Sequence, residues 1–278
     1  MAIFGRSKAS GDTFDPTFRY ETSWLLPPSV LFAIRAFLSL YAFVTIFFIF
    51  GWNGTHGLSE DSEHSFSFFT NLTYWGLAFY FLFSAVHTCS YWLTTRPLVN
   101  EWPRTLQVAH GMFYSTITVF PWIVTIVFWA LLFSGRFPSQ YSSWTNTSQH
   151  ALNSAYALFE IILPRTPPLP FLHLITTILL LALYLALAYL THTTEGFYVY
   201  SFLDIHKNGS GKTAAYIIGI LVADIVVFLI VRYLIVLRVW VTERKLGKLG
   251  NFTSRGRQEI SGDSEAQKCI ELQNISGK

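Results

Sequence analysis

Residues 214–239 read AAYIIGILVADIVVFLIVRYLIVLRV, and this run decides the class of the fold. As an α-helix it extends about 39 Å, more than the roughly 30 Å of a bilayer's hydrocarbon core. Only Asp224, Arg232 and Arg238 interrupt it. Five further apolar stretches precede it, near Ser29–Trp52, Phe68–Leu93, Thr105–Ser134, His150–Leu163 and Phe171–Thr191. The fourth is short and is expected to begin a turn earlier, near Thr147. Composition agrees with a membrane protein. The 278 residues are 52% hydrophobic and 13% charged, where a soluble domain carries roughly 25% charged residues.

The expected fold is therefore all-α: one polytopic bundle of six transmembrane helices over residues 29–243. A polar N-terminal segment, 1–28, precedes it, and a polar tail, 244–278, expected to be disordered, follows. The first apolar run is longer than a signal peptide's, so no cleaved leader is expected. Cys89 and Cys269 imply no disulfide framework. Pro121 falls inside the third stretch and should kink it, and Arg165-Thr-Pro-Pro-Leu-Pro170 reads as a stiff turn.

Lys and Arg outside the spans divide thirteen to three between the two faces. Arg6, Lys8, Arg19, Arg96, Arg104, Arg165 and seven residues of the tail share one face. Arg136, Lys207 and Lys212 share the other. The positive-inside rule then puts both termini in the cytoplasm. Sequons at Asn53, Asn146 and Asn208 fall on the opposite, lumenal side, although Asn251 and Asn274 in the tail also match. The formal charge of +3 is concentrated in the tail. It reads as topology, with anionic headgroups as its partner, and not as nucleic-acid binding.

Polar residues inside the apolar stretches are the functional candidates, because hydrocarbon penalises them. Thr70, Thr73, Tyr80, Ser84 and His87 fall on one helical face, as do His150, Asn153 and Glu160. Thr70 and His150 open the second and fourth stretches, which enter from the same side, so both should lie in one layer of the membrane. There the first-turn amides would keep an imidazole neutral and could stabilise an oxyanion. A hydroxyl and a base in a water-poor bundle form a possible nucleophilic pair. Interhelical hydrogen bonding, worth about 0.6 kcal/mol per pair, is the plainer explanation. Arg35 and Glu160 have matching depths and read as an ion pair. Asp224 is expected to be protonated or bonded to a tyrosine, and Arg232 and Arg238 to snorkel. His87, His110, His150, His173 and His192 leave haem ligation as a further possibility.

Phe68-Phe69-Thr70-Asn71-Leu72, His150-x-x-Asn153 and Gly196-Phe197-Tyr198-Val199-Tyr200-Ser201-Phe202-Leu203-Asp204 together resemble the androgen-induced and androgen-dependent TFPI-regulating membrane proteins. The resemblance implies an intramembrane threonine hydrolase of the endoplasmic reticulum or another endomembrane, acting on fatty-acid esters of hydroxy fatty acids. Thr70 matches the family threonine. The family's His-x-x-His reads His150-x-x-Asn153 here, so Asn153 stands at the position where the family holds its catalytic histidine. The expected catalytic set is thus Thr70, His150 and Asn153, with no cofactor. The stretch from His150 through Pro167 to His173 is also similar to rolling-stone proteins, which implies the rival reading of a non-catalytic scaffold or fusion-related protein. Haem-based electron transfer is the third reading.

Overall fold

A computed structural model describes residues 14–253. Among them the chain is helical, with no strand beyond an isolated bridge between Ser23 and Pro164. Six long helical runs make the bundle. α1 is Pro28–Thr55, α2 is Phe69–Thr94, and α3 is Arg104–Val127, extended by a π-helical turn Phe128–Leu132. α4 runs Gln140–Thr147, widens through a π-helical turn Ser148–Leu152 and continues as Asn153–Ile162. α5 is Leu172–Glu195, and α6 is Ser210–Val239, prolonged by Trp240–Lys245.

Four of these, α1, α3, α5 and α6, are long and apolar enough to cross a membrane. Only 17% of the most apolar window of α5 and 22% of that of α6 is buried within the protein. Their outward faces are hydrocarbon-like, and water would not tolerate so large an apolar surface. α2 is as long and uncharged, but its Thr, Tyr, His and Ser residues make it less apolar.

The buried core lies where α1, α2, α3, α4 and α6 meet. Tyr74, Leu77 and Phe81 of α2 pack there with Tyr114, Ile117 and Phe120 of α3 and with Phe228 of α6. Small residues bring α1 and α2 together: Ala42 and Ala78 are fully buried, and Ser39 donates to the Ala78 carbonyl at 3.0 Å. Near the end of the bundle where α1 begins and α4 ends, the Arg35 guanidinium grips Glu160 of α4 through two hydrogen bonds of 2.8 Å. It also donates to Thr88 of α2 and to the Tyr20 carbonyl, each at 2.7 Å. The ion pair expected from matching depths is present. Asp224 accepts from Thr177 at 2.9 Å, so of the two expectations for it, protonation or a tyrosine partner, the tyrosine is replaced by a threonine.

Arg238 does not snorkel. It is buried and donates to the carbonyls of Ile161, Pro164 and Thr166, which have no helical donors of their own beyond the end of α4. Arg232 donates to the Leu169 carbonyl and lies over the Phe171 ring. Both arginines fasten α6 to the turn after α4.

Both described termini lie at one end of the bundle and close it as a floor. Arg165 donates its backbone N–H to the Thr22 carbonyl at 2.9 Å, and Asn251 donates to the Ser23 carbonyl at 2.9 Å. Arg19 pairs with Glu243 at 2.6 Å. Residues 250–253 are half-buried against this floor, while 244–249 are exposed. The rest of the tail expected to be disordered, 254–278, together with Arg6, Lys8, Cys269 and Asn274, falls outside the described residues.

The floor also encloses two carboxyls. Asp15 accepts from the Tyr20 N–H at 2.8 Å, and Glu21 is fully buried beside it. Burial raises the Asp15 carboxyl and pushes Glu21 well above the usual range. The charge of Asp15 adds to the shift of Glu21, and the Arg35 guanidinium opposes it.

Two outcomes are expected. Glu160→Ala leaves Arg35 buried without its anion and should destabilise by about 3–5 kcal/mol. The double variant with Arg35→Ala should cost clearly less than the sum of the singles, read as thermal midpoints in detergent; simple additivity would contradict the coupling. The raised carboxyls hold protons that the unfolded chain releases. Their stabilisation is complete below the unfolded values near 4 and is lost as pH rises toward the folded ones. Glu21→Gln should therefore gain thermal stability over wild type, by a margin that widens from acid to alkaline pH; a constant margin would contradict this assignment.

Candidate functional site

The start of α2 is built from a chain reversal. The 3₁₀ turn His64–Ser67 ends, Phe68 is extended, and the helix begins at Phe69 without a side-chain cap. The first-turn N–H groups therefore have no intrahelical partner. Thr70 sits in that turn and lines an apolar cavity of about 200 Å³, walled by Val124, Phe128, Leu181, Tyr184 and Ile217.

Tyr200, from the connection between α5 and α6, closes on the same point. Its phenol faces the Thr70 hydroxyl and the amides of Phe69 and Thr70. Burial raises its pKa, against the pull of those donors, so the phenol keeps its proton. Tyr184 lies beside it and donates to the Ser67 carbonyl at 3.0 Å. One threonine hydroxyl, two phenols and the open end of a helix thus converge on an otherwise apolar chamber. Tyr200 lay inside a quoted motif but carried no role; no helical periodicity marks a loop residue.

Gln149 donates to Asn71 at 2.9 Å, so the neighbours of His150 and Thr70 touch and both residues occupy one layer. The side chains themselves are not joined. His150 is buried, and its ring lies parallel to Phe128 with centroids 3.7 Å apart and planes at 5°. Phe128 lines the Thr70 cavity; His150 does not. Its Nδ1 is buried with no hydrogen-bond partner.

The expected first-turn location of His150 is corrected. Ser139 caps the helix by accepting from the Ser142 N–H at 3.1 Å, and α4 starts at Gln140, ten residues ahead of the imidazole. Residues 140–149 are polar, so hydropathy hid this part of the helix. No helix-start amides surround His150, which sits instead in a π-helical turn.

Asn153 is committed to structure on every polar atom. Its Nδ2 donates to the Pro121 carbonyl at 3.2 Å, and its Oδ1 accepts from Thr125 at 3.1 Å and from the Ser154 N–H at 2.7 Å. Ser154 shares the task, with its hydroxyl 2.6 Å from that of Thr125. These bonds bind α4 to α3 at the proline.

The remaining histidines are engaged in packing. His87 and His110 meet edge to face at 5.3 Å and 89°, and both ring nitrogens of His87 are buried without a hydrogen-bond partner. His173 Nδ1 is 2.7 Å from the Ser115 hydroxyl, and His192 stacks on Tyr198 at 3.7 Å. Among the described residues no three His, Cys, Asp or Glu side chains are grouped to hold a metal.

No family model, no curated protein and no solved structure matches the chain.

Proposed function

We propose that the chain is a six-span membrane protein that hydrolyses a lipid ester, with Thr70 as nucleophile. The observation that carries this reading is Thr70 lining an apolar cavity together with Tyr200, whose phenol meets the Thr70 hydroxyl. In water-poor surroundings a hydroxyl, a protonated phenol and the amides of a helix start are the parts of an acyl-transfer site. The likeness of Phe68–Leu72 to the threonine hydrolases points the same way, toward fatty-acid esters of hydroxy fatty acids.

In this mechanism the acyl chain fills the cavity, and the carbonyl oxygen turns to Tyr200 and the start of α2. Thr70 Oγ attacks the carbonyl carbon while its proton passes to His150. The carbon–oxygen bond to the alcohol breaks, and that oxygen takes the proton from His150. An acyl-threonine remains; water attacks it, gives a proton to the base and frees the acid and Thr70. For His150 to act, Phe128 must turn out of its stack. α2 and α4 complete the six spans; on the Lys/Arg asymmetry both termini face the cytoplasm from an endomembrane, which makes the Thr70 layer lumenal.

One arrangement favours a second reading. The stacked His150 and the fully bonded Asn153 also suit a scaffold whose polar groups only hold helices together.

Topology is tested by a carboxy-terminal tag in sealed microsomes. The tag should be digested by added protease, and protection would reverse the orientation. Activity is tested with a fluorophosphonate probe on membranes. Wild type should label, Thr70→Ala should not, and His150→Ala should label about 10²–10⁴-fold more slowly. Phe128→Ala should label at least as fast as wild type. Asn153→Ala should lower thermal stability more than labelling. Equal labelling of wild type and Thr70→Ala, or none in either, selects the scaffold.

A further inference from the structure

A second, larger cavity of about 480 Å³ lies between α2, α3 and α5. Leu72, Gly76, Phe113, Thr116, Leu180 and Leu183 are among the residues of its wall. It opens sideways, since Leu183 lines it and is 58% exposed on the outer face of α5. The outward neighbours Ile175 and Leu179 are equally bare, so the mouth lies in the surface that meets lipid.

Phe69 and Tyr184 line this groove and also the Thr70 cavity. Their rings are 4.9 Å apart, the Tyr184 hydroxyl is held by the Ser67 carbonyl, and Phe69 leans on Phe120 at 5.2 Å. This pair of rings is a partition one residue from the Thr70 hydroxyl. The groove itself offers little polarity. Thr73 donates to the Thr70 carbonyl at 2.9 Å and Thr116 to the Phe113 carbonyl at 2.8 Å, so both hydroxyls are spent on their own helices. Such a lining takes hydrocarbon and rejects a polar ligand, which would lose its hydrogen bonds there. The volume lies within the range of about 300–1,000 Å³ typical of small-molecule sites.

We propose that the α2–α3–α5 groove is a lateral site for a single lipid acyl chain, and that the Phe69–Tyr184 pair separates it from the Thr70 chamber. Gly76 determines its capacity. A Cβ there would stand 3.6 Å from the Phe113 ring, an ordinary contact, so Ala fits, but a longer side chain must fill the groove. The inference rests on the membrane and lipid parts of the proposed function and deepens them, yet it does not require hydrolysis.

The test uses the full chain in phosphatidylcholine nanodiscs with a diazirine-bearing palmitate analogue, crosslinked by light and mapped by mass spectrometry. Adducts should concentrate on Leu72–Gly76 and Phe113–Ile117, in excess over the outward face of α1 at Phe37, Leu40 and Val44, which reports ordinary surrounding lipid. Gly76→Leu and Thr116→Leu should each cut the groove adducts about tenfold and leave those on α1 unchanged. Phe69→Ala should carry adducts through to Ile123 and Leu181 in the Thr70 cavity. If a variant fails to fold, competition on wild type decides, because unlabelled palmitate should saturate a site but not surrounding lipid. Adducts as dense on α1 as in the groove, or groove adducts indifferent to competitor and to Gly76→Leu, would overturn the proposal. Groove labelling without any fluorophosphonate labelling would leave this site standing and reject the hydrolase.

Discussion

The Arg35–Glu160 pair is the constraint around which the bundle is arranged. An isolated charge in such an interior would be prohibitively costly, so each partner obliges the other to be in place. Arg35 satisfies the debt with four bonds, to α4 twice, to α2 and to the segment before α1. One guanidinium thus fixes the depth at which three helices and the floor meet. The planar fork of arginine suits this; a lysine offers no such bidentate geometry. Arg238 repeats the device at the end of α4, where it collects carbonyls that the helix leaves open.

This fixed layer has a consequence at the far end of the bundle. With α1, α2 and α4 tied together, the starts of α2 and of the π-helical turn in α4 come level, as the Gln149–Asn71 bond records. The Pro121 region supplies the other tie, through Asn153, Ser154 and Thr125. α5 is held more lightly there, by Tyr184 and Thr191 reaching Ser67. Both cavities lie along α5, where the bundle is least tightly bound.

The sequence conveys the class of fold because apolar length is a one-dimensional property, and the six stretches correspond to the six long helices within a few residues, α4 excepted. α4 failed because its first turns are polar, and hydropathy detects lipid contact, not helix. Periodicity identified Thr70, His150, Asn153 and Glu160 as inward-facing, and all four are at least partly shielded. It could not say which neighbour each would choose. Glu160 chose Arg35, Asn153 chose Thr125 and the Pro121 carbonyl, and His150 chose a phenyl ring. Those choices depend on helix rotation across contacts distant in sequence. Tyr200, Asp15 and Glu21 were illegible for a related reason: they lie in irregular segments whose burial is created by the bundle they close.

The stack of His150 on Phe128 sets a small energetic weight against an unpaired nitrogen. An aromatic stack is worth about 0.5–1.5 kcal/mol beyond its area, so turning Phe128 aside is a small demand. A buried nitrogen without a partner carries a penalty of about 1–3 kcal/mol, and Nδ1 of His150 is such a nitrogen. His87 shares that condition, with both ring nitrogens buried and unpartnered, so an unmet bond alone does not mark a base. Asn153, one helical turn from His150, has every polar atom bonded. In this bundle the imidazoles are placed by ring packing and the amide by hydrogen bonds, and the stack on Phe128 is what holds His150 out of the Thr70 chamber.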